Sequence, residues 1–226
     1  IMRDVLIALC PALIAGCVVF GLRALLVVAV TTVACIFFEW GYEKLCGKPS
    51  TICDLSAAVT GVLLAMNLPV SIPLWQAVFG ALVAMVAVKG LFGGIGKNFA
   101  NPAITARIVM FLAFSKSMTA WVFPDAVSSA TPLAMMANGE SVDYLTLLLG
   151  NHGGCLGETS ALALLIGFAY LLIRGVISWH TPVCFVGTVF VMSLILGQDA
   201  VGQILSGGLM LGAIFMATDY STTPST

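Results

Sequence analysis

Thr131 is a residue whose setting could hold a phosphate. It closes the stretch Asp125-Ala126-Val127-Ser128-Ser129-Ala130-Thr131 and is followed directly by Pro132. A Thr-Pro pair is a helix start: the hydroxyl accepts from backbone N–H groups of the first turn, and proline fits there because its missing donor would be unpaired anyway. The same geometry suits an anion, since free N–H groups and the helix dipole attract a phosphate. Spacing alone favours the cap, and both readings use the same atoms.

Three other residues stand out. Arg107 lies inside an apolar run, where an ionisable group marks function by default. It would neutralise an anion or pair with an acid such as Asp54, or else snorkel to the near interface. Asn101 and Asp219 each end a glycine-bearing stretch and are candidates to line a cavity or to cap helices. His152 and Cys155 are three apart among glycines; a metal site needs three or four ligands, and no others are near in sequence, so the stretch reads as a loop. No catalytic residue and no metal site is assigned. The glycines from Gly93 to Gly96 follow an apolar run and lack the strand–turn–helix setting of a dinucleotide fingerprint.

The elements that must position these residues are membrane helices. Hydrophobic residues make up 60% of the 226 and charged ones 8%, against about a quarter charged in soluble domains. The chain therefore reads as all-α, a polytopic helical bundle in a lipid bilayer. Nine scattered Lys and Arg and a net charge of -1 leave no basic patch for nucleic acid. Seven cysteines, none in a C-x-x-C pair, argue against a complete disulfide framework; most lie in apolar runs and read as small hydrophobes. No signal-peptide pattern is visible. The start at Ile1 and the polar run Ser221 to Thr226 read as the ends of a fragment.

Eight apolar segments are expected, at Val5–Leu22, Ala24–Phe38, Leu55–Val70, Leu74–Phe92, Ala103–Phe114, Ala161–Ile173, Pro182–Leu196 and Val201–Ala217. Crossing the hydrocarbon takes about twenty residues, so the shorter ones borrow flanking residues or are half-helices buried in protein. With every segment crossing and the N-terminus cytoplasmic, Arg3, Lys44, Lys48, Lys97 and Arg174 fall inside, with Lys89 near that face. Only Arg23 and Lys116 fall outside, which is the positive-inside bias. The long connection 115–158 is then extracytoplasmic, and one miscounted crossing inverts everything after it. A faint repeat links Asp54-Leu55-Ser56-Ala57 to Glu158-Thr159-Ser160-Ala161, with Trp75 and Trp179 at matching distances. It fits either an inverted repeat of the transporter type or two ordinary helix starts with an acid at the positive end.

Ser128-Ser129-Ala130-Thr131, with Asp125 three residues earlier, resembles the flavin-attachment motif of the RnfD and NqrB family of membrane subunits. Four more stretches are similar in the same order: Met2-Arg3-Asp4-Val5 through Leu9, Gly93-Gly94-Ile95-Gly96-Lys97-Asn98 through Asn101-Pro102-Ala103, Gly157-Glu158-Thr159-Ser160-Ala161 through Ala163, and Phe215-Met216-Ala217-Thr218-Asp219. The resemblance spans nearly the whole chain and is closer to RnfD, chiefly through the Met-Arg-Asp-Val opening. Two departures stand: Ser129 replaces the usual glycine, and the family continues past Thr226.

The resemblance implies FMN esterified through its phosphate to Thr131, with Asp125, Ser128, Ser129 and Ala130 forming the attachment motif and a separate flavin transferase installing it. Asn101, Arg107 and Asp219 become candidate flavin or cavity neighbours, and a second, loosely held flavin such as riboflavin is allowed. The architecture implied is a single membrane domain over 1–226, with short or broken helices in inverted repeats, like urea and ammonium channels. The function implied is electron relay within a ferredoxin:NAD-type complex that moves sodium or protons, in a bacterial or archaeal cell membrane, beside other flavin- and iron–sulfur-bearing subunits. The alternatives are an NqrB-type subunit of a sodium-pumping quinone reductase, a channel for a small polar solute, or a structural membrane anchor.

Overall fold

A computed structural model describes residues 1–48, 51–92, 98, 100–121, 131–139, 142–150, 152–158 and 160–219. Those residues fold into helices joined by short turns, with no strand ladder among them. The arrangement is an all-α membrane helical bundle.

The chain opens with α1 (Met2–Phe20) and α2 (Leu22–Leu45), the two helices long and apolar enough to cross a bilayer. Twenty-four residues at 1.5 Å rise extend α2 over about 36 Å. Pro11 lies inside α1, which membrane helices tolerate when neighbours satisfy the freed carbonyl. Gly21, with φ 73°, ends α1 in the left-handed region that a side chain disfavours. Many large apolar side chains of these helices, among them Ile14, Val18, Leu25 and Val33, are exposed. Their environment is lipid, so no core is needed to cover them.

The next helices are shorter. They are α3 (Ser56–Met66), α4 (Leu74–Leu82), which runs on as a π-helix over Val83–Gly90, and α5 (Pro102–Ala113). A four-residue turn of helix, α6 (Ser115–Met118), follows. Then come α7 (Pro132–Ala137), α8 (Tyr144–Leu149), α9 (Ala161–Ile173), α10 (His180–Ile195), α11 (Ala200–Leu205) and α12 (Leu209–Leu211), the last continuing as a π-helix over Gly212–Met216. The expected segment Ala161–Ile173 coincides with α9. The expected Val201–Ala217 is broken at Ser206 to Gly208, where Gly207 has φ 70°. The short helices α6, α7 and α8 leave no sign in the hydrophobic pattern, because runs of four to six residues are too brief to show a period.

Two compact units emerge. In one, α2 lies along α3 and α4, while α5 lies along α3 and the π-helix after α4. Every residue of α3 but Ala58 is buried, making this eleven-residue helix the core of its unit. Glycine sets the spacing there. A Cβ on Gly61 would stand 2.7 Å from the Thr32 Cα of α2, whereas one on Gly80 would meet the Met110 sulfur, the movable end of a side chain. In the other unit, α8 packs on α9 and α11, and α7 on α11. Helix α1 lies against α9 at Gly167, where a Cβ would come within 2.3 Å of the Ala8 carbonyl oxygen. Helix α10 is nearly bare, with Pro182 and Ser193 its buried residues.

Gly61→Ala forces α2 and α3 apart and should cost about 1–3 kcal/mol, the usual range for overpacking. Gly80→Ala, relieved by a methionine rotation, should cost less. Thermal unfolding of both variants in detergent checks the order.

Candidate functional site

Thr131 begins α7 as the sequence reading expects. Its backbone is extended (φ -64°, ψ 155°), its hydroxyl oxygen accepts from Ala134 N–H, and Pro132 occupies the first helical position. The bond is long, 3.4 Å, and is the hydroxyl's contact among the described residues. Thr131 is half-exposed while Pro132 behind it is buried. The helix is anchored at two glycines of the α11 region: Leu133 abuts Gly207 and Met136 abuts Gly202. The result is a hydroxyl held at the surface on a fixed turn. Such an oxygen fits a phosphoester, being reachable, weakly engaged and beside the N–H groups of a helix start. Asp125, Ser128, Ser129 and Ala130 lie outside the described residues.

Asn101 is the N-cap of α5, its side-chain oxygen accepting from Ala103 N–H at 3.0 Å and Ile104 N–H at 3.3 Å. Its amide nitrogen donates to Asp219 Oδ2 at 3.2 Å. The two residues expected as cavity neighbours therefore touch, and both line one cavity of about 30 Å³ together with Ser56, Thr60, Lys89 and Asn98. Asn98 Oδ1 is buried and has no partner among the described residues. That volume admits a water or two.

Arg107 finds a partner other than Asp54. Its Nη1 donates to Asn67 Oδ1 at 2.9 Å, and Asn67 Nδ2 donates to the Leu63 carbonyl at 2.7 Å. Asn67 is the C-cap of α3, whereas Asp54 precedes the opposite end. Eleven residues of helix, about 16 Å, lie between them. Arg107 thus places a cation at the negative end of the α3 dipole, where it is favoured.

The other end of α3 carries a cluster that sequence reasoning missed. Lys89, expected near the cytoplasmic face, is buried at 6% exposure. Its ammonium donates to Glu39 Oε1 and, at 2.6 Å, to Ser56 Oγ. Ser56 in turn donates from both N and Oγ to Asp54 Oδ1, at 2.9 and 2.7 Å. Leu55, between them, has φ 63°, a left-handed backbone that costs a leucine energy and is characteristic of functional sites. The signal available in sequence was two ionisable residues, Lys89 inside an apolar run and Glu39 at the end of another; fifty positions apart, they could not be paired.

In the loop before α9, Glu158 Oε2 accepts from Cys155 N–H at 3.3 Å, and His152 Nδ1 lies 3.3 Å from the Gly153 carbonyl oxygen. His152 is 5% exposed, and its Nε2 has no partner among the described residues.

A bundle of apolar helices, with ionisable side chains gathered at the ends of a short buried helix, defines an integral membrane protein. The profile of the NQR2, RnfD, RnfE family matches residues 1–226, and the chain belongs to that family, whose subunits are membrane proteins. Over its whole length it is 46% identical to the D subunit of the Na(+)-translocating ferredoxin:NAD(+) oxidoreductase complex of Acetobacterium woodii, covering 74% of that protein. It is 36% identical to the D subunit of the proton-translocating ferredoxin:NAD(+) oxidoreductase complex of Clostridium ljungdahlii, covering 75%. Similarity to the B subunit of the Na(+)-translocating NADH-quinone reductase of Azotobacter vinelandii is 37% but reaches 71% of this chain and 45% of that protein. The RnfD branch is the nearer of the two, as the opening Met2-Arg3-Asp4-Val5 implies.

Burial pushes the His152 imidazole below its usual value. The unfolded chain takes up a proton near pH 6.5 and the buried ring resists it, so stability is full above that pH and falls as pH drops through it. His152→Gln removes this contribution. Between about pH 7.5 and 5.5 the variant's unfolding temperature should fall less than that of the wild type.

Proposed function

We propose that this chain is the flavin-carrying membrane subunit of an ion-translocating oxidoreductase complex of the ferredoxin:NAD type. In this reading it holds FMN covalently on Thr131 and relays electrons between partner subunits that carry flavins and iron–sulfur centres. The observation that carries the proposal is the state of the Thr131 hydroxyl: half-exposed, at a helix start, and held among the described residues by one long hydrogen bond. The names of the relatives support the class of complex and its ion coupling.

The chain's own residues divide the work. Thr131 supplies the ester oxygen, and the first-turn N–H groups of α7 face the phosphate charge. Pro132 fixes the turn. Gly202 and Gly207 let α7 sit close on its support, which sets where a tethered group can reach. Asp125, Ser128, Ser129 and Ala130 are the stretch a flavin transferase would read. FMN, when bound, accepts electrons in pairs and releases them singly, which suits a relay; the protein contributes position and electrostatics. The tether keeps the carrier with its subunit.

The positive charges of the connecting segments favour a cytoplasmic N-terminus and a flavin loop outside. The family resemblance leaves room for a second flavin such as riboflavin near Asn101, Arg107 and Asp219. Asn101 and Asp219 line one cavity there.

Expression with the flavin transferase, followed by denaturation and a gel under ultraviolet light, tests the attachment. A fluorescent band is expected from the wild type and none from Thr131→Val. A dark wild-type band favours a solute channel or a structural anchor. Loss of the cap in Thr131→Val costs about 1 kcal/mol, so the variant should still insert and assemble.

A further inference from the structure

The cluster at the N-terminal end of α3 has no part in holding FMN at Thr131, yet the unit invests heavily in it. The Lys89 and Glu39 side chains are 7% and 6% exposed. Removing two charges from water costs several kcal/mol for each ion, and apolar residues of the same volume would commonly serve stability as well or better. Lys89 sits near the end of a π-helical segment, a distortion found often at functional sites, and Leu55 beside Ser56 is held at φ 63°. One carboxylate oxygen of the pair, Glu39 Oε2, has no partner among the described residues. The bond network is thus incomplete on the Glu39 side.

The ammonium's two acceptors, a carboxylate oxygen and a hydroxyl oxygen, are oxygen ligands of the kind that hard cations take. Its other flank opens on the cavity lined by Asn98, Asn101 and Asp219, which brings a second carboxylate, and an amide oxygen with no partner among the described residues, within its surroundings. A lysine is a compact charge on a flexible four-carbon stem, so it can change acceptors without moving its helix.

We infer that Lys89 is a tethered cation standing in for the transported ion: it neutralises Glu39 in the state described, and exchanges that partner for Asp219 across the cavity when a free cation takes its place. The inference rests on the ion-coupled reading of the complex and adds the residue that ties ion occupancy to a conformational choice. The exchange keeps charge balanced. One cation arrives at Glu39 as one leaves it, so the Glu39 carboxylate keeps a cation throughout. Lys89 acts here as a positioning residue, not one that touches the flavin.

The test uses the whole complex in sealed liposomes, reading ions moved per electron with radioactive sodium and with a pH-sensitive dye. The double variant Glu39→Gln/Lys89→Met removes both charges together and should assemble. Electron flow should persist while the ion-to-electron ratio falls about fivefold or more, the low end of ordinary site coupling. Lys89→Arg keeps the ion pair and grips the carboxylate in a two-pronged hydrogen bond, so it should lower the ratio as well. A merely structural pair predicts wild-type ratios in Lys89→Arg, and that result overturns the inference, as does a wild-type ratio in the double variant. A wild-type complex that passes electrons and moves no ion strikes instead at the ion-coupled reading beneath it.

Discussion

An eleven-residue helix cannot cross the hydrocarbon, and the rest of its unit follows from that shortfall. Helix α3 is about 16 Å long, about half of the hydrocarbon thickness, so at least one of its ends stops within it. Backbone groups left unpaired at membrane depth cost several kcal/mol each. Such an end must therefore be met by polar side chains, and these must come from neighbouring helices. At the C-terminal end the Asn67 amide donates to the Leu63 carbonyl and is held by Arg107; at the N-terminal end Asp54 accepts from the Ser56 N–H, and Lys89, paired with Glu39, holds the Ser56 hydroxyl. Polar groups in a lipid-embedded protein are therefore concentrated where a helix stops. The cavity beside Asn101 lies where two helix starts, those of α3 and α5, come together.

The site for covalent modification obeys the opposite logic. Thr131 is half-exposed, on a six-residue helix whose first turn has little to do but hold one hydroxyl in place. A group esterified there need not be buried by this unit. A tethered electron carrier needs reach and a fixed root, and α7 on its two glycines gives the root.

Much of this is legible in the residues. Long apolar runs mark α1, α2, α9 and α10 to within a few residues at most ends, because lipid imposes the same hydrophobic requirement along the whole element. The Thr131-Pro132 and Asn101-Pro102 starts are legible too, since capping is local chemistry. Three things are not. The break in the last segment depends on Gly207 adopting φ 70°, which glycine permits without announcing. Opposite charge suggests Asp54 as the partner of Arg107, while the fold puts a neutral amide, Asn67, at the right end of α3. The Lys89–Glu39 pair joins residues fifty apart, and in sequence Lys89 reads only as a charge near the membrane face. Pairing across such a distance is a property of tertiary packing and leaves no periodic trace.

The central claim is a phosphoester at one side-chain oxygen. Mass spectrometry of the peptide spanning 121–139, released from the natively assembled complex without reduction of its flavins, measures it directly. The account predicts a peptide heavier by one FMN less one water, with fragmentation locating the addition on Thr131. The same peptide recovered at its unmodified mass, from a complex that transfers electrons, would contradict it.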